Sequence, residues 1–104
     1  MIRLTILAAA AALAAISAAT AEPKVKKSFE SVRPAGELAS CFAERLGYLA
    51  NPSVLPEVGG VTRVLFTNFG RTVTRIGIVA GERRHVLLRG VSGGRVVREV
   101  RRCL

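Results

Sequence analysis

The side chains that could support acid–base, thiol or metal chemistry are few in this 104-residue chain: Cys41, Cys103, His85 and seven glutamates, with no aspartate. A zinc site needs three or four His, Cys or carboxylate ligands, and one histidine with two well-separated cysteines does not make that pattern. A Ser–His–acid set would have to recruit His85 and a glutamate, and no nucleophile-elbow sequence positions a serine. Gly59-Gly60 and Gly93-Gly94 lack the strand–loop–helix frame and the lysine of a phosphate loop, so they read as turn glycines. No metal, cofactor or catalytic residue is therefore expected, and His85 reads as an exposed or half-buried strand residue. The expectation is a protein that is not an enzyme.

The cysteines depend on where the chain goes. Arg3 precedes an apolar run from Leu4 to Ala19, and Ala19-Thr20-Ala21 supplies small residues at both recognition positions of a cleavage site. That order matches a secretory signal over residues 1–21, with a mature chain from Glu22. The run is short and alanine-rich beside the roughly 20 apolar residues of a spanning helix, so no transmembrane anchor is expected after cleavage. The alanine-rich core and the excess of Arg over Lys point to a bacterium with a GC-rich genome, and so to the periplasm or the medium. Leu38-Ala39-Ser40-Cys41 has the pattern of a lipidation site but lies well beyond the apolar core, after several charged residues. In an oxidising compartment the two cysteines pair as Cys41–Cys103. The spacing is nothing like the C-x-x-C of a redox pair.

Charge is the remaining feature that bears on function. Sixteen Lys+Arg stand against seven acids for a net +9, which falls to +8 when residues 1–21 and Arg3 are removed. Nine of the arginines (63, 71, 75, 84, 89, 95, 98, 101 and 102) fall in or beside β-rich segments. Outside the cytoplasm such a surface attracts an anionic envelope polymer or an acidic protein surface. Nucleic acid is disfavoured, because stacking needs aromatics and the chain has four Phe, one Tyr and no Trp. The plain alternative is a solvated basic surface with no specific ligand.

The elements that must carry these residues follow from periodicity. Residues 22–32 read as a polar N-terminal arm, and residues 33–104 as one small domain. Arg33-Pro34 can open a helix, and Leu38, Cys41, Phe42, Leu46 and Leu49 recur at steps of three and four. Asn51-Pro52 ends it, and Ser53–Gly60 reads as a connecting loop with room for a short edge strand. Four strands are then expected at Val61–Asn68, Thr72–Val79, Arg84–Val91 and Arg95–Arg102, joined by connections too short for parallel crossovers. The predicted fold is α+β, one N-terminal amphipathic helix packed on a four-stranded antiparallel β-meander with a single disulfide.

A three-residue loop with Gly70 left-handed sets the first hairpin so that Arg63 faces Arg75. Val64, Phe66, Thr74, Ile76, Ile78, Val86 and Leu88 then share the core face with Thr62. Arg63, Leu65, Val73, Arg75, His85, Leu87 and Arg89 share the other face, which makes Arg63, Arg75 and Arg89 the candidate anion-binding row. The fourth strand fits neither alternation, because each phase turns charges inward. The expected function is a small exported binding or structural module acting through this basic sheet face. The competing expectation is an inhibitor or accessory factor docking on an envelope enzyme through a loop such as Ser53–Gly60.

Overall fold

The computed structural model describes residues 23–104, so the export signal and its cleavage site lie outside the described residues. The elements run β1 (Val25–Ser31), α1 (Ala35–Arg45), β2 (Asn51–Val58), β3 (Val61–Asn68), β4 (Arg71–Val79), β5 (Arg84–Gly90) and α2 (Gly94–Cys103). Five strands form one sheet in the order β1-β5-β4-β3-β2, every neighbouring pair antiparallel. Among the described residues the fold is α+β, with five strands and two helices rather than four strands and one, and a strand precedes the first helix.

Helix α1 forms where the three-and-four spacing places it. Its apolar stripe buries Leu38, Ala39 and Phe42, continued by Leu46 just past the last turn. Glu37 in the first turn and Arg45 in the last both suit the helix dipole. The stripe packs on Val64, Phe66, Ile76, Ile78, Val86 and Leu88, the core face expected of β3, β4 and β5. Burying one such side chain stabilises by about 1.5–3 kcal/mol.

Four expectations are corrected. The polar arm is β1, which pairs along β5 from Val25 opposite Arg89 to Ser31 opposite Arg84. Its signal was weak because an edge strand buries little; Phe29 is half-buried and only Ser31 is buried. Segment 53–60, expected as a loop with room for a short edge strand, is strand over most of its length. It is most of edge strand β2 and its turn, where Pro52 and Pro56 are tolerated because an edge strand needs only one ladder. Gly59 and Gly60, with φ of 60° and 76°, form the two-residue turn into β3.

The third correction is the final segment, which is helix α2 and not a strand. Val96, Val100 and Cys103 recur at steps of four and three and are all buried. Both strand phases failed because the true period is 3.6 residues. The disulfide Cys41–Cys103 is present, with Cα atoms 5.7 Å apart, and it ties α1 to α2 on the same side of the sheet. Closing this loop is worth about 4 kcal/mol in the chain-entropy treatment.

The fourth correction is the β3–β4 hairpin, whose loop has two residues. Phe69 and Gly70 take φ of 52° and 73°, and Asn68 faces Arg71. One residue later the ladder slips between Phe66 and Thr67, leaving Val73 as an extra residue on β4. Shorter loop and bulge together move the partners by an even number, so each side chain keeps its expected face while its partner changes. Arg63 therefore faces Gly77, not Arg75. The bulge also marks where the chain leaves the sheet, since the Val91 N–H donates to the Val73 carbonyl at 2.9 Å. Gly90, at φ 84°, is required here: a Cβ would overlap that carbonyl oxygen.

Candidate functional site on the open face of the sheet

Both helices cover one face of the sheet, and the odd-numbered residues of β3, β4 and β5 form the other. Arg63, Arg75 and Arg89 all stand on this open face, as the alternation required. Arg75 faces Leu65 on β3 and Arg89 on β5, while Arg63 faces Leu55 on β2 and Gly77 on β4. The like-charged neighbours are thus Arg75 and Arg89. The three arginines are half-buried, as are Val61, Leu65, Val79 and Leu87 around them. Arginine stems laid across aliphatic side chains produce this degree of burial.

Gly77 is the residue that reading by face did not single out. It is buried in the middle of the open face, and the missing side chain leaves a depression. Arg89 Nη1 and Val61 Cγ1 each lie 3.7 Å from where its Cβ would stand. The hollow has a volume of about 320 Å3, with Leu55, Val61, Leu65, Val79 and Leu87 as its apolar walls and the three arginines as its cations. A glycine in a strand interior marks a close approach of some other group, which is the signal that could have found it.

The groove between the helices is larger, about 780 Å3, and runs beside Cys41. Four of its charges pair off: Arg33 lies 3.5 Å from Glu37 and Arg45 lies 3.2 Å from Glu99. With Glu44 also on its lining it has no cationic excess, so the smaller hollow is the one with cationic character. His85 lies 3.7 Å from Glu30 at the rim of the sheet, with both side chains more than half exposed. Among the described residues, no three of His, Cys, Asp and Glu converge as a metal site, and no helix is long and apolar enough to cross a membrane.

Several basic residues outside the hollow hold the fold together. Arg33 Nη1 donates to the Cys103 carbonyl at 2.7 Å, at the C-terminal end of α2. Arg84 Nε donates to the Arg33 carbonyl at 2.9 Å and its Nη1 to the Gly81 carbonyl at 2.8 Å. Ser31 Oγ donates to the Leu104 carbonyl at 3.1 Å. These contacts bind β1, β5 and α2 at one end. No family model matches the chain, and no curated protein or solved structure is significantly similar to it.

Proposed function

We propose that this protein is an exported, non-enzymatic module that binds an anionic ligand with apolar character on the open face of its sheet. The observation that carries the reading is the hollow at Gly77, where three half-buried arginines share one surface with aliphatic walls. Arg75 stands directly opposite Arg89, so a ligand phosphate or carboxylate at that position would meet positive charge from two strands. A guanidinium fork suits both anions. The aliphatic walls favour a ligand with acyl or other hydrocarbon groups over a bare polyanion. The signal pattern of residues 1–21 together with the Cys41–Cys103 bond supports export, and an exported protein would meet its ligand in the periplasm or outside the cell.

The test is retention on immobilised lipopolysaccharide at about 150 mM salt, where the Debye length is about 8 Å. Wild-type protein should be retained, and Arg63→Glu with Arg75→Glu should abolish retention without unfolding. Gly77→Val should weaken retention with no change in charge, since it fills the hollow in a residue type that strands accept. Retention of both variants at the wild-type level would overturn the reading.

A further inference from the structure

The two ends of the sheet differ in charge and in exposed aromatic side chains, and neither difference involves the open-face hollow. Strand directions place residues 23–27, 47–51, 67–72 and 90–96 at one end, since Asn51 faces Thr67, Val25 faces Arg89 and Val91 bonds to Val73. These stretches hold Lys24, Lys26, Lys27, Arg71 and Arg95 and no acid. The opposite end carries Glu30, Glu37, Glu57 and Glu82, set beside Arg33, Arg83 and Arg84.

Large apolar side chains are exposed at both ends, with Val32 and Val58 each 69% exposed at the acid-bearing one, but both exposed aromatics stand at the acid-free end. Phe69 at the tip of the β3–β4 hairpin is 97% exposed, and Tyr48 and Val91 are 44% and 49% exposed. The Arg95 guanidinium lies 4.0 Å above the Tyr48 ring. Phe69 contributes nothing to the turn that holds it: φ of 52° favours Asn or Gly and disfavours a bulky residue. A phenylalanine kept in that conformation, almost wholly in water at an end whose charges are cationic, suits an environment that is apolar at depth and anionic at its surface.

We propose that this end of the molecule docks on an anionic lipid bilayer, with Phe69 inserted among the acyl chains and the five cations against the headgroups. Aromatic side chains partition to the bilayer interface, and basic residues near an anionic leaflet add attraction that salt weakens. The hairpin tip stands at the end of the sheet, so docking leaves the open face accessible.

The chain has no tryptophan, so Phe69→Trp places a single fluorophore at the anchor. Its emission should shift to the blue with phosphatidylglycerol-containing vesicles and stay unshifted with phosphatidylcholine alone. Phe69→Asn, which suits the turn better, should reduce vesicle co-sedimentation by about tenfold while leaving the melting temperature unchanged or higher. Gly77→Val should co-sediment as wild type, which separates this surface from the open-face hollow. An unshifted emission from the Phe69→Trp variant, an equal shift with both lipids, or full co-sedimentation of Phe69→Asn would overturn the proposal.

Discussion

Arginines crowd two faces of this molecule, and the two crowds behave differently. On the open sheet face, Arg63, Arg75 and Arg89 are half-buried and share a hollow with aliphatic walls. On the far side, Arg95, Arg98, Arg101 and Arg102 line the outer surface of α2, and all four are exposed. Three of these four have partners on the same side. Arg95 lies over Tyr48, Arg101 sits 5.5 Å from the Phe29 ring, and Arg102 is 3.2 Å from Glu99. Exposed pairs of this kind contribute about 0–1 kcal/mol. The helix arginines keep α2 wet on one side while Val96, Val100 and Cys103 bury the other. The sheet arginines sit where desolvation strengthens an interaction with an anion. A count of arginines therefore does not separate the two faces; their burial and their neighbours do.

Separate faces require α2 to stay on the α1 side of the sheet. Cys41→Ser removes the covalent tie and should lower unfolding stability by about 4 kcal/mol, read as a fall in urea midpoint relative to oxidised wild type. Reduction of wild type should reproduce the loss. Arg33→Ala should cost about 1.5–3 kcal/mol, because it removes a charged hydrogen bond to the Cys103 carbonyl. The same denaturation curves check this, and a loss below 0.5 kcal/mol, roughly the scale of an ordinary surface change, would show the contact to be incidental. The smallest effect should come from Arg98→Glu with Arg101→Glu on the helix side. Retention on immobilised lipopolysaccharide should fall by less than about threefold, from net charge alone. A loss as large as that of the sheet variant would erase the distinction between the two faces.

Legibility along the chain followed the amount of surface each element buries. The α1 stripe was readable because one face of the helix is wholly inside, and β3 to β5 were readable because their even-numbered residues meet both helices. The core face survived an error in the hairpin loop, since the two-residue turn at Phe69-Gly70 and the bulge at Val73 restore parity. The partner of Arg63 did not survive it. β1 was read as an arm, and β2 as a loop with room for a short edge strand, because edge strands leave most of their side chains in water. The α2 segment misled because its valines are β-branched and it follows three strands, so local preference argued for a fourth. Its 96, 100, 103 spacing was present all the while.

The sequence by itself determined the Cys41–Cys103 pairing, the α1 stripe, and which residues of β3 to β5 face the core. Each of these follows from composition or from a period that burial enforces. It also determined that Arg63, Arg75 and Arg89 share a face, because side chains alternate strictly along a strand. Only the tertiary structure decided that Arg75 neighbours Arg89, that Gly77 hollows the surface beside them, and that the last four arginines stand on the opposite side. Those outcomes depend on strand register and on where a bulge falls, which are set by contacts between segments distant in sequence. A period within one segment carries no record of its partner's phase.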